Sequence, residues 1–239
     1  MGSGPPGERP GAPPGRSKSL CLFDLDDTLL PIDSDHAWGE FVTRLGWVDA
    51  DDFARRNDAF FAQYKAGSLD IHEYIAFATE PLRAHSAIEN AAAHARFMAE
   101  VISPVMHPSA LKLVRSHQAR GDLVALVTAT NDFVTAPIAA AFGIEHLIAV
   151  RLAREPGGTI TGCISGTPSY REGKVTRVTE WLAGQGVTWS DFERISVYSD
   201  SVNDQALLER ATDPVATNPT PALRALAEAR GWRILKLFD

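Results

Sequence analysis

Cysteine is scarce in this chain: Cys21 and Cys163 are the only two, each isolated in apolar or β-like surroundings. Two lone thiols do not make a disulfide framework, and they read as reduced, buried side chains in a reducing compartment. No apolar run approaches the roughly 20 residues that a membrane-spanning helix requires. Nor is there a block of basic residues. With a net charge of −7 and a pI near 5.5, nucleic acid and anionic membranes are poor partners. Residues 1–18 are rich in glycine and proline and lack the apolar centre of a signal peptide. They cannot bury enough surface to order themselves and read as a disordered tail. These absences predict a soluble, cytoplasmic protein.

The most informative stretch present is Ser19-Leu20-Cys21-Leu22-Phe23-Asp24-Leu25-Asp26-Asp27-Thr28. A short apolar run reads as a buried strand of a parallel sheet, and it stops abruptly at an aspartate. In open α/β sheets ligands gather beyond the carboxyl ends of the strands, where Asp24 would sit. Carboxylates crowded there need a cation or a proton to hold them together.

The period then turns helical. Trp38, Phe41, Val42 and Leu45 share a face, with Ser34 available as N-cap and Gly46 as a stop. Phe53, Phe60, Phe61 and Tyr64 repeat the spacing up to Gly67. Ile71 to Ala78 predicts a shorter helix ended by Pro81, and Ile88 to Ile102 a long one ended by Pro104. Residues 33–103 thus read as an all-helical block with its own aromatic core, Trp38 included.

From Pro108 helices and strands alternate. Strands are expected at 123–127, 147–150, 195–199 and 215–217, with a small hairpin over 157–164 and an edge strand at 234–237. Alternating elements imply a parallel sheet covered by helices on both faces. The expected fold is α/β, a Rossmann-like core from residues 19–32 and 104–239 into which the helical block 33–103 is inserted.

Asp24, Thr128 and Asp200 each end a predicted strand, and Lys174 opens a helix. This set resembles the haloacid dehalogenase superfamily. Asp24-Leu25-Asp26-Asp27-Thr28 matches its first motif, Thr128 its second, Lys174 its third, and Asp200-Ser201-Val202-Asn203-Asp204 its acidic fourth. The resemblance implies a phosphomonoester hydrolase with Asp24 as nucleophile, forming an aspartyl-phosphate. It makes Asp26 the general acid and base. Mg²⁺ would be bound by Asp24, the Asp26 carbonyl and Asp200, with Asp204 supporting it through water. Thr128 and Lys174 would bind the phosphoryl oxygens, and Asn203 would orient Lys174 or the metal shell. The insert would be a C1-type cap, admitting only a small phosphorylated metabolite.

The nearest pattern is that of phosphoserine phosphatases and their histidinol-phosphate-hydrolysing relatives. Two glycines usually follow the second-motif hydroxyl in the former; here Ala129 and Thr130 stand there. Asp33 lies nine residues past the nucleophile, where phosphoserine phosphatases carry a glutamate that meets the substrate's amino group. With Asp35 and His36 it would suit a cationic substrate, or the two aspartates would simply cap the helix. Histidinol phosphate is the first expectation and phosphoserine the second. Two alternatives stay open: a phosphotransferase or mutase sharing the covalent step, and a phospho-accepting receiver-type signalling module.

Overall fold

The computed structural model describes residues 19–238; the Gly/Pro-rich stretch read as a tail lies outside them. In chain order the elements begin with β1 (Ser19–Phe23), followed by α1 (Ser34–Arg44), α2 (Ala50–Ala66), α3 (Ile71–Ala78), α4 (Glu80–Ala84) and α5 (Ala87–Phe97). A π-helical turn, Met98–Ile102, leads to α6 (Ser103–Val105) and α7 (Pro108–Ala119). Next come β2 (Leu123–Asn131), α8 (Asp132–Ala141), β3 (His146–Val150), β4 (Leu152–Arg154), β5 (Ile160–Ile164) and α9 (Glu172–Gly184). The chain finishes with β6 (Arg194–Ser199), α10 (Gln205–Leu208), β7 (Asp213–Thr217), α11 (Pro221–Arg230) and β8 (Arg233–Leu235). Among the described residues no helix is long and apolar enough to cross a membrane.

Six strands form one sheet in the order β3-β2-β1-β6-β7-β8, every neighbouring pair parallel. The chain builds outward from β1 through β2 to β3, then returns to place β6 on the other side of β1. Strand order therefore reverses at β1, and the crevice of such a reversal lies beyond its carboxyl end. Residues 20–23 of β1 are buried throughout, as a central strand covered on both faces must be. Leu20 and Leu22 pack with Val127, Val197, Leu182 and Leu223 on one face. Cys21 and Phe23 pack on the other with Val114 and Ile138.

That second cluster does not stop at the sheet. Trp38, only 1% exposed, packs against Phe97 at 5.2 Å and His94 at 5.6 Å between ring centroids, and reaches Phe133 of α8 at 5.5 Å. The His94 ring nitrogen Nε2 lies 3.1 Å from the Val134 carbonyl. Helices α1 and α5 thus share one core with the sheet domain. Within the block, a separate group, Phe53, Phe60, Tyr74 and Phe77, ties α2 to α3. Both groups belong to one continuous core that runs from β1 through the helical block, so the block has no private core.

Several local expectations are corrected. Asp33, not Ser34, caps α1, its carboxylate accepting from His36 N. Helix α3 ends at Ala78, ahead of Pro81, but the chain turns helical again at once, with Pro81 in the first turn of α4, where its missing N–H is harmless. Pro104 lies in α6, and the helix before it widens so that Ser103 N bonds Met98 O, five residues back; ring sterics against the preceding turn favour such a detour. The hairpin pairs β4 with β5 and spans 152–164. On its alternating surface Ile160 and Gly162 face inward while Cys163 faces out, so only Cys21 is a buried thiol. Strand β2 runs four residues further than expected, with its register against β3 breaking between Val127 and Asn131.

Candidate active site

Strand β1 passes directly into the site. Asp24 N continues the ladder by donating to Tyr198 O at 2.9 Å, which holds Asp24 at the sheet's carboxyl edge. The chain then folds sharply, the Leu25 carbonyl accepting from the amides of Thr28, Leu29 and Leu30. Leu25, Leu29 and Leu30 are fully buried and anchor the loop from below, leaving the acids on top. Asp27 takes a left-handed φ of 55°, stabilised by Asn218, whose Nδ2 donates to the Asp27 and Thr28 carbonyls at 3.1 and 3.3 Å. Among the described residues, the non-glycine positions with positive φ are Asp27, Arg171 and Asn218. All three lie in loops around this crevice, where strain is held by surrounding structure.

Lys174 is 1% exposed and its Nζ sits 2.8 Å from both Asp24 Oδ1 and Asp204 Oδ2. Burial works against its charge, but the Asp204 and Asp24 carboxylates outweigh it and hold the ammonium above its ordinary pKa. Ser199 Oγ donates to Asp204 Oδ2 at 2.8 Å, so Asp204 positions the lysine directly. Asn203, expected to orient Lys174 or the metal shell, donates from Nδ2 to the Tyr64 carbonyl of α2 at 3.2 Å, tying the fourth-motif loop to the helical block. Gly173 explains how α9 can begin here: a Cβ at that position would meet the Pro168 carbonyl oxygen at 2.1 Å. Gly173→Ala should destabilise the fold by about 1–3 kcal/mol, the range for overpacking. Thermal melts would read this as roughly 2–4 °C per kcal/mol; an unchanged melting temperature would refute the packing account.

Thr28 bridges the two acidic motifs. Its Oγ1 lies 3.1 Å from Asp24 Oδ2 and 3.3 Å from Asp200 Oδ1, and accepts from Asp200 N at 3.0 Å. Burial, then the charges of Asp24, Asp27 and Asp204, push Asp200 well above the carboxylate range. Burial likewise raises Asp24 to about 7 despite the opposing pull of Lys174. Two buried carboxylates that share one hydroxyl proton suit a hard divalent cation, which favours oxygen ligands. Among the described residues no three carboxylate, imidazole or thiolate groups gather at metal-binding separation. A cation between Asp24 and Asp200 would therefore need a main-chain oxygen such as that of Asp26.

Asp26 is turned the other way. Its Oδ1 accepts from Ser34 N at 2.7 Å and its Oδ2 from Thr130 Oγ1 at 2.8 Å. Burial pushes it up to about 7, with Asp33 adding to the rise and the two hydrogen bonds opposing it. In the sequence Thr130 is legible only as a departure from a glycine pair; its contact depends on the β2 register break, which turns residues 128–130 toward the crevice. Thr128 is buried there, its Oγ1 accepting from Thr130 N at 3.1 Å.

Beside Asp26 a cavity opens between α1, α2, α3 and the end of β2. It contains about 410 Å³ free of protein atoms, part of it open to solvent, and includes Asp33, Asp35, Tyr64, Tyr74 and Ala129 in its walls. Among the described residues no lysine or arginine lines it. Burial raises Asp33 and Asp35 to about 7 each. The His36 ring stacks on Phe61 at 4.6 Å and its Nε2 lies 2.9 Å from Asp58 Oδ1, closing the wall between α1 and α2. Phe60, Phe61 and Tyr64, expected as packing, are cavity walls as well.

Residues 21–209 match the model for haloacid dehalogenase-like hydrolases. The chain is 41% identical over 218 residues to a histidinol-phosphatase from Neisseria meningitidis, covering 91% of this chain and 98% of that protein. A phosphoserine phosphatase from Mycobacterium tuberculosis is 28% identical over 225 residues, covering 93% and 72%. Among solved structures, a Bordetella pertussis protein of unknown function aligns with a TM-score of 0.88 at 52% identity, covering 93% and 100%. A substrate-bound phosphoserine phosphatase aligns at 0.64 and 18% identity, covering 92% and 94%, which speaks for the fold alone. The acids gathered at the end of β1 and these likenesses lead to one conclusion: the chain is a phosphatase and belongs to the haloacid dehalogenase-like hydrolase family.

Proposed function

We propose that this phosphatase hydrolyses a small phosphomonoester carrying cationic nitrogen, with histidinol phosphate as first choice and phosphoserine as second. The observation that carries the choice is the cavity beside Asp26: acidic, aromatic and, among the described residues, without a lysine or arginine in its walls. An ammonium or imidazolium would relieve the repulsion among Asp26, Asp33 and Asp35. The α-carboxylate of phosphoserine would enter the same walls with only His36, already paired with Asp58, to meet it among the described residues, and an unpaired buried charge is expensive. The likeness to a histidinol-phosphatase supports the same choice.

In this reading Asp24 attacks phosphorus in line. A new Oδ–P bond forms as the P–O bond to the substrate breaks, and the electron pair leaves with the substrate oxygen. Asp26 donates a proton to that oxygen. A water molecule then attacks the phospho-Asp24, giving its proton to Asp26, and Asp24 departs with inorganic phosphate released. An acid near pKa 7 can serve both steps at neutral pH. Lys174 and Thr128 bind the non-bridging oxygens. The carboxylates of Asp24 and Asp200 and the main-chain oxygen of Asp26 would hold Mg²⁺, which when bound offsets the repulsion between carboxylate nucleophile and phosphate. The helical block, residues 33–103, acts as a C1-type cap that keeps bulk water out, over a core of 19–32 and 104–239. The cytoplasm is the assigned compartment.

Steady-state phosphate release with Mg²⁺ tests the reading. We expect kcat/KM for histidinol phosphate to exceed that for phosphoserine by at least about 100-fold, the scale of an uncompensated polar mismatch. A preference for phosphoserine, or no turnover of either compound, refutes it.

A further inference from the structure

Asp35 is built into the first turn of α1 and is 5% exposed, and its two carboxylate oxygens have different surroundings. Oδ1 accepts from Asn131 Nδ2 at 3.1 Å. That amide is itself fixed, because Asn131 Oδ1 caps α8 by accepting from Val134 N at 3.1 Å. Oδ2 is buried and has no hydrogen-bond partner. The Tyr74 hydroxyl lies near enough to favour the charged form of Asp35 but does not satisfy Oδ2. An unmade bond on a buried charged oxygen costs more than the roughly 1–3 kcal/mol of a neutral group. The helix does not require this arrangement, since Asp33 already supplies the N-cap at 2.8 Å. Asp35 also lines the cavity, together with the aromatic side chains of Phe60, Phe61 and Tyr64.

We propose that Asp35 is a specificity-determining residue whose Oδ2 accepts a hydrogen bond from an N–H of the substrate's distal nitrogen-bearing group. The identity of that group as an imidazole ring rests on the histidinol phosphate reading; the requirement for an N–H donor does not. Asn131 holds the carboxylate in advance, so no ordering is needed when the ligand arrives. The aromatic walls suit a flat ring held by that bond.

The test is competitive inhibition of 4-nitrophenyl phosphate hydrolysis by histidinol, in the wild type and in Asp35→Asn with Mg²⁺ present. The asparagine oxygen can still accept from Asn131, while its NH₂ replaces the free acceptor with a donor. We expect the inhibition constant for histidinol to rise about 10- to 100-fold, the scale of one charge-assisted hydrogen bond. Inhibition by inorganic phosphate, which offers no N–H, is the reference and should change less than about threefold; the inhibition constants are compared whatever the uninhibited rate of the variant. A second arm needs no variant: histidinol methylated on both ring nitrogens carries a permanent ring charge, which favours an acidic wall, but loses the ring donor, and should inhibit the wild type at least about 10-fold more weakly. Equal inhibition of wild type and Asp35→Asn, equal potency of the methylated compound, or no inhibition of the wild type by histidinol overturns the inference. Turnover of histidinol phosphate by the wild type is read separately. If it is absent while Asp35-dependent inhibition persists, the substrate assignment fails and the role of Asp35 stands.

Discussion

Asp24→Asn should lower phosphomonoester turnover by at least about 10⁴-fold, the scale seen when a covalent nucleophile is removed. The amide has no anionic electron pair with which to attack phosphorus. The fold should persist, because Lys174 keeps its 2.8 Å contact with Asp204 and Thr28 keeps Asp200. Removing one of two crowded carboxylates also relieves repulsion, so the melting temperature should hold or rise. Phosphate release from an aryl phosphate, measured beside a thermal melt, separates the two effects. A folded variant retaining more than about one hundredth of the activity would show that Asp24 is not the nucleophile.

Asp26→Asn should cost about 10²- to 10⁴-fold on alkyl phosphates, the usual contribution of a positioned acid and base. The loss should depend on the leaving group. An alkoxide needs the proton of Asp26, whereas 4-nitrophenolate departs without one. With the aryl ester the first step should survive and the second, which needs a base for water, should stall. Rapid mixing should therefore give a burst of 4-nitrophenol equivalent to the enzyme, followed by slow turnover. Equal losses on both ester types with no burst would remove Asp26 from proton transfer. The substituted amide oxygen can still accept from Ser34 N, which holds the Asp26 side chain at 2.7 Å in the native protein, so the comparison probes chemistry rather than loop collapse.

The parts of this site visible in the sequence are those where a residue type has one physical use. An apolar run that ends in Asp24 or Asp200 is a buried strand meeting a crevice, and β1 and β6 lie where that logic puts them. Lys174 follows only from the family resemblance, which gives Asp204 to the metal shell and not to the lysine it contacts. What stays hidden depends on neighbours distant in sequence. Helical periodicity groups Phe60, Phe61 and Tyr64 on an apolar face but cannot say whether that face meets another helix or a cavity. Thr130 reaches Asp26 only through the register break in β2. Asn218 carries a signal in its Asn-Pro pair, a turn mark, yet its bonds to Asp27 and Thr28 cross most of the chain. Family motifs associate Asn203 with the lysine; its bond to Tyr64 follows from how α2 rests on the fourth-motif loop.

The aromatic seam through Trp38, Phe97 and Phe133 bears on how substrate preference can evolve in this family. It binds α1 and α5 to the sheet domain, so those helices carry the packing load and tolerate little change. Helices α2 and α3 supply Phe61, Tyr64 and Tyr74 to the cavity walls. Helix α1 carries both Trp38 of the seam and Asp35 of the cavity, so a change of pocket made there bears on the packing of the scaffold, whereas one made at Phe61, Tyr64 or Tyr74 does not touch the seam rings.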